Sequence, residues 1–251
     1  MSMKRSIKHL VERLGGILIV KESELYALPE QTHLKRFFEH FAVDCVFDVG
    51  ANTGQYRDLM RNQIGFVGPI ISFEPVPELA RILHAKRLQD SRWFVESTAL
   101  DSECGKTLFH VMDDNQFSSL KSPASNQPKI FANWNKVARQ ISVERSTLAI
   151  ELPRWQDRLG FKRPFLKLDT QGNDLAVLEG AGQALQAFVG LQSELSFQQV
   201  YNGSVNFAKA LFRYCELGFQ LSALVPNNVG HFPNLIEMDC IMFRDPAGHH
   251  R

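Results

Sequence analysis

The chain has little that would tie it to a metal, a membrane or a polyanion. Its four cysteines, Cys45, Cys104, Cys215 and Cys240, stand far apart with no CxxC pair. That spacing offers neither a zinc-site pattern nor the density of a small disulfide scaffold. Cys45 and Cys240 fall within apolar runs and are expected to be buried free thiols. No apolar run approaches the ~20 residues needed to cross a bilayer. No apolar stretch follows Met1-Ser2-Met3-Lys4-Arg5, so a secretory pattern is missing and a soluble, cytoplasmic protein is expected. The formal net charge is +1, from 28 basic and 27 acidic residues. Such a balance gives no bulk attraction to nucleic acid or to an anionic membrane, and neither is expected as a partner. Lys4, Arg5 and Lys8 read as a solvated helix face. Internal repeats and low-complexity segments are lacking too.

What is present is enough for one α/β domain with appendages: 251 residues, 44% of them hydrophobic. Ile7, Leu10, Val11 and Leu14 follow helical spacing, as do Leu34, Phe37, Phe38 and Phe41 after Pro29. These helices, within residues 1–42, are expected to cover the sheet or a site opening, or else to form an oligomer contact. The main domain, residues 43–245, alternates strands and helices. Strands are expected at 46–49, at Pro69 to Glu74, at Trp93 to Thr98 running into Asp101, and at Thr107 to Val111. Others are expected at Ile141 to Thr147, Phe165 to Asp169, Val189 to Phe197, Phe219 to Val225 and Ile236 to Phe243. Leu79, Ile82 and Leu83 form the buried stripe of one helix. Leu148 to Leu159 is helical around Pro153, Asn173 caps another helix, and Val205, Ala208, Phe212 and Cys215 mark the last. Residues 112–140 have little periodicity and suit a lid or substrate loop. The final connection, Pro226 to Asn234, is nine residues rich in Pro, Gly and Asn. A parallel crossover needs about a dozen residues or more, so the last two strands should pair antiparallel at one edge of the sheet.

The chain is organised around Val46-Phe47-Asp48-Val49-Gly50-Ala51-Asn52-Thr53-Gly54-Gln55-Tyr56. This is a strand, a glycine turn and a helix start, the place where open α/β sheets bind nucleotide-like ligands. Glycine and, less readily, Asn tolerate the left-handed backbone that such a turn needs. A dinucleotide turn would require glycine at positions 52 and 55, where Asn52 and Gln55 stand. A phosphate-binding glycine-lysine loop is absent as well. The cradle therefore suits a nucleoside without a pyrophosphate. Three strands end in acids, Asp48, Glu74 and Asp169, which a parallel sheet brings to one edge. Glu74 lies twenty residues past Gly54, a spacing at which an acid accepts from ribose hydroxyls.

These motifs, with Phe73-Glu74-Pro75-Val76-Pro77, Ser118-Ser119-Leu120, Leu166-Lys167-Leu168-Asp169-Thr170-Gln171-Gly172, Val177-Leu178-Glu179-Gly180-Ala181 and the Glu194 strand, resemble the FkbM family of S-adenosylmethionine-dependent methyltransferases. The resemblance spans roughly Cys45 to Arg244. It implies a class I methyltransferase, Rossmann-like fold, with a seven-stranded, mostly parallel sheet whose last strand is antiparallel. It also implies O-methylation of a small acceptor, such as a sugar or natural-product hydroxyl. By the same resemblance Asp48, Gly50, Asn52 and Gly54 hold the methionine end of the cofactor and Glu74 the ribose. The Thr98 to Asp101 turn, with Ala99, flanks the adenine, and Asp169 sits near the sulfonium. Gly172-Asn173-Asp174 departs from the family's usual small residue and Glu, on the substrate side of the pocket.

Methyl transfer aligns an acceptor oxygen with the methyl and the sulfur, and an aliphatic hydroxyl must also lose its proton. Asp169 is the first candidate for positioning or proton removal, or else a structural acid, and His231 in the last loop is a second candidate base. His110 reads as structural. Asp113, Asp114 and Ser118 are candidates for acceptor contact. A divalent cation on Asp169 and Glu194 would be held by two acids on adjacent strands, which is not a metal signature, and no metal ligand is assigned. Two further functional readings compete: a nucleotide-dependent oxidoreductase, and a non-catalytic Rossmann-like interaction module.

Overall fold

The computed structural model describes residues 21–244. The helix expected around Ile7 to Leu14 lies outside them. A seven-stranded sheet forms the centre, built from β1 (Cys45–Val49), β2 (Ile70–Phe73), β3 (Trp93–Glu96), β7 (Pro164–Leu168), β8 (Gly190–Ser196), β9 (Gln220–Val225) and β10 (Glu237–Phe243), in the order β3-β2-β1-β7-β8-β10-β9. The first five run parallel, and β10 is antiparallel to both β8 and β9. This is the class I methyltransferase arrangement, and the short final loop had required the antiparallel pair. The strand order reverses between β2-β1 and β7-β8, so the crevice lies beyond the carboxyl ends of β1 and β7.

The residues of β1, β2 and β7 are all buried, as expected of parallel strands covered on both faces. Two large apolar clusters fill the two sides. Helix α1 (Leu28–His40) belongs to one of them. Its Phe37 and Phe38 rings meet Phe165 at centroid distances of 5.3 and 5.1 Å. Gly190 makes room for the first ring, since a Cβ there would overlap Phe37. His33 adds a 2.7 Å hydrogen bond to Ser222 on β9. Residues 28–40 therefore share the main core.

A second sheet was not foreseen. Strands β4 (Ala99–Leu100), β5 (Gly105–Met112) and β6 (Val137–Ser146) assemble in the order β4-β6-β5, with β5 and β6 antiparallel. The irregular stretch is consequently shorter than 112–140, because Val137 to Gln140 already pair with β5. Two helix faces also differ from the sequence pattern. In Pro77–Lys86 the buried residues are Leu79, Ala80 and Leu83, whereas Ile82 is exposed. The helix Phe207–Glu216 buries Ala210 and Tyr214 and turns Ala208, Phe212 and Cys215 outward. The helix Leu148–Leu159 forms with Pro153 inside it. Cys45 and Cys240 are buried free thiols, as expected.

Candidate active site

A cavity of about 690 Å³ opens where β1, β2, β7 and β8 end. Its floor is the turn after β1. The amides of Gly50 and Ala51 both donate to the Phe73 carbonyl at 3.1 Å, and the Asp169 amide donates to the Val49 carbonyl at 3.0 Å. The turn is thus tied to strands on either side. Gly50 has φ +86°, and a Cβ on it would overlap the Asp169 carbonyl oxygen. Gly54 has φ +91°, and a Cβ there would press on the Trp93 and Leu83 side chains. Asn52 takes the left-handed conformation at φ +48°, as its residue type had suggested.

The acids are held in different ways. Asp48 is buried within β1 rather than at its tip; its Oδ2 accepts from Ser72 Oγ at 2.7 Å, and Ser72 Oγ accepts from Trp93 Nε1 at 3.0 Å. Burial raises the Asp48 pKa to about 6, the Ser72 bond and Lys167 opposing. Glu74 accepts from two backbone amides, Asn52 to Oε2 and Val76 to Oε1, both at 2.8 Å. Burial nevertheless pushes its pKa up to about 7. Each Glu74 oxygen accepts one of these bonds and keeps a second lone pair, and the residue lines the cavity. Asp169 is half-exposed; its Oδ1 accepts from Gln171 Nε2 at 2.8 Å and its Oδ2 lies 3.6 Å from Lys167 Nζ. Ala99 and Leu100 line the far end, beside Phe109.

Part of the irregular segment covers this cavity, with Asp114, Ser118, Phe131 and Trp134 among the lining residues. Ser119 fastens it: buried, its Oγ lies 2.8 Å from the Gln171 carbonyl and 3.2 Å from that of Thr170. Tyr201 fastens it again, its hydroxyl 2.7 Å from Gln171 Oε1 and 2.9 Å from the Phe117 carbonyl. The Ser118-Ser119-Leu120 motif thereby joins the cover to the loop after Asp169.

Opposite the turn lies a buried polar network. Lys167 Nζ sits 3.6 Å from both Asp169 and Asp239 and donates to the Leu168 carbonyl at 3.1 Å. Burial would lower the Lys167 pKa, but Asp239 and Asp169 hold it well above the ordinary lysine value. Glu194 stands opposite Asp239 in the β8–β10 register and accepts from Asn227 Nδ2 at 3.2 Å. Burial and Glu237 push Glu194 well above the carboxylate range, and burial with Asp169 raises Glu237 to about 7.

The sequence profile described as "Methyltransferase FkbM domain" matches residues 48–221. The chain belongs to this family. No curated protein matches. Solved structures that this FkbM-family chain resembles include magnesium protoporphyrin IX methyltransferase from Synechocystis PCC 6803 with bound SAM (8% identity, 98% of each chain, TM-score 0.45). Another is a cofactor-bound protein from MTB (9% identity, 97% of this chain and 90% of that one, TM-score 0.48). A third is a putative rRNA methylase from Clostridium thermocellum (9% identity, 91% of this chain and all of that one, TM-score 0.43). A balanced net charge does not by itself exclude nucleic acid, because it does not describe any local surface.

Membership of the FkbM family removes the oxidoreductase reading. All seven cofactor-side candidates the sequence singled out, except Gly54 beneath the turn, line one cavity. His231 does not line it: the ring packs edge-on against Phe131 at 5.4 Å, one layer outside, with Nε2 buried and unpartnered. Asp113 points to solvent, while Asp114 and Ser118 line the wall. Asn173 occupies the N-cap position without capping; its Nδ2 donates to Asp101 Oδ1 at 3.2 Å. Asp174 anchors the loop, accepting from the Thr170 amide at 3.0 Å and Ser193 Oγ at 2.6 Å. Among the described residues no group of three or more His, Cys, Asp or Glu has metal-holding geometry. No described helix is long and apolar enough to cross a membrane. The sequence reading missed Glu30, Gln192 and Asp239, and gave Lys167 no role. A charge inside an apolar strand, as in Phe165-Leu166-Lys167-Leu168 or Met238-Asp239-Cys240, is a local signal; Glu30 has none.

Proposed function

We propose that this chain transfers a methyl group from S-adenosylmethionine to a hydroxyl of a small acceptor held in the same cavity. The observation that carries this reading is Glu74, which lines the cavity and has each carboxylate oxygen fixed by one backbone amide, leaving each a second lone pair. That is a receptor for a pair of vicinal hydroxyls, as on a ribose. Gly50, Ala51 and Asn52 line the cavity, which lets a ligand lie directly on the turn. When bound, the cofactor supplies an electrophilic methyl on a sulfonium.

Asp48, Gly50, Asn52 and Gly54 shape the methionine end in this assignment. Ala99, Leu100 and Phe109 give the adenine an apolar berth. Asp169 stands at the junction of the two halves, where an anionic oxygen favours a neighbouring sulfonium and accepts the proton of an acceptor hydroxyl. Lys167 and Gln171 orient it. His231 has no part in the chemistry, being screened by Phe131. The segment covering the cavity, roughly 113–136, excludes water and orients the acceptor. Hydroxyl as the methyl-accepting group rests on the density of carboxylates facing the cavity, which suit an acceptor that donates hydrogen bonds.

Titration calorimetry with S-adenosylmethionine and S-adenosylhomocysteine tests the cofactor half. Saturable one-site binding, weakened at least tenfold in Glu74→Ala, is expected; the loss of both ribose bonds amounts to about 2 kcal/mol or more. No binding by the unmodified chain would falsify the assignment.

A further inference from the structure

Glu30 sits on helix α1, outside the residues matched by the family, yet lines the cavity next to Tyr26. Gln192 holds it there: Nε2 donates to Glu30 Oε1 and to Asp239 Oδ2, both at 2.6 Å. Gln192 is fully buried, and its own Oε1 accepts from the Tyr56 hydroxyl at 3.1 Å. The amide is therefore held from both sides, and it orients the carboxylate through its bond to Glu30 Oε1. The placement does not depend on a loop.

The charge around Glu30 is one-sided. Among the described residues eight acidic side chains line the cavity, and Lys167 is the single basic one. That lysine is already shared between Asp169 and Asp239. No cation among the described lining residues is left to receive a phosphate or carboxylate, and an anion a few ångströms from an ionised carboxylate in a partly desolvated site is repelled. A hydroxyl or an ammonium, by contrast, finds acceptors on this wall.

We propose that Glu30 is a specificity-determining residue: it accepts a hydrogen bond from a hydroxyl or ammonium group of the acceptor and bars acceptors that carry a phosphate or carboxylate at that end. The acceptor class is thus a neutral or amine-bearing polyol. This inference rests on the methyltransferase reading of the same cavity. Burial and the neighbouring Asp239 hold the Glu30 pKa up to about 7, so the preference for an ammonium group sharpens as pH rises past neutrality.

The test loads the full chain with S-adenosylhomocysteine and titrates it at pH 7.5, where Glu30 is largely ionised and glucosamine still partly cationic, with glucosamine, glucose and glucose 6-phosphate. Glucosamine is expected to bind at least about tenfold more tightly than glucose 6-phosphate, with glucose between them. Glu30→Gln should reduce that ratio to about threefold or less and leave the S-adenosylhomocysteine affinity within about twofold. If Glu30→Gln does not fold, the preference of the unmodified chain decides. Glucose 6-phosphate binding as tightly as glucosamine, an unmoved ratio in folded Glu30→Gln, or binding of none of the three overturns the inference. Failure of the loading step is a different result, overturning the cofactor assignment and this inference with it.

Discussion

Gly50 and Asp169 approach so closely that no side chain fits between them: a Cβ on residue 50 would overlap the Asp169 carbonyl oxygen. The same residue holds φ +86°, a conformation that L side chains rarely adopt. The turn beside the cofactor end and the strand end that carries the proposed base are therefore one mechanical unit. Gly50→Ala should strain both, costing about 2–4 kcal/mol of folding stability. Urea unfolding would measure that loss, and calorimetry should show S-adenosylhomocysteine binding weakened by at least about tenfold. Unchanged stability and affinity would count against the packing described.

Glu74 makes both stability and affinity depend on pH. Its folded pKa is raised from 4.5 to about 7 by burial. A raised carboxyl binds its proton more tightly in the folded state, so its contribution is fully present below pH 4.5 and lost as pH rises through 7. The shift corresponds to about 3 kcal/mol across that window. Glu74→Gln should remove this decline, visible as a smaller fall in Tm between pH 5 and pH 8. Cofactor affinity should run the other way, rising through pH 7 as the carboxylate becomes a two-fold acceptor for the ribose. A flat affinity profile would detach Glu74 from the ribose.

Asp169 and His231 are separated by one experiment. Asp169→Asn should retain S-adenosylhomocysteine binding within a few-fold while methyl transfer to a working acceptor falls by about 10²–10⁴. His231→Ala should leave transfer within about twofold, because the imidazole packs on Phe131, which lines the cavity, and does not line it itself. The opposite pattern would return the histidine to the mechanism.

Ser119 is expected to govern how firmly the cavity is covered. Its hydroxyl meets the carbonyls of Thr170 and Gln171 from a fully buried position. Ser119→Ala leaves those oxygens short of a donor, at about 1–3 kcal/mol. Hydrogen exchange should quicken across residues 113–136, with little change in the central sheet. Uniformly faster exchange would mean that the bond serves the whole fold.

The parts of this molecule legible in the sequence are those fixed by neighbours along the chain. Val46 to Tyr56 announces its strand, turn and helix because glycine, Asn and the apolar run act within a few residues. The antiparallel place of β10 follows from a loop too short to cross over. The sheet of β4, β5 and β6 was hidden, since its pairing spans an irregular stretch with no periodicity of its own. Ile82 and Phe212 misled because a helix with apolar residues on two faces has two readings, and only the packing partner chooses. Asp48 reads in the sequence as a strand-end ligand, and its sideways bond to Ser72 comes from a neighbouring strand and has no local signal. Lys167, Gln192, Asp239 and Glu30 come from four separate elements, and only the assembled sheet joins them by ion pair and hydrogen bond.

The notch at Gly190 has a consequence for descent. Phe37 fills it from a helix that precedes the family's shared residues, so helix and notch must be inherited together. A relative with alanine or valine at this position must shift the Met242 carbonyl on β10 and also the ring, or the helix that carries it and Glu30. Grafting the leading helix of one member onto another should therefore fail unless residue 190 travels with it, and acceptor range should diverge in lineages where the pair was broken.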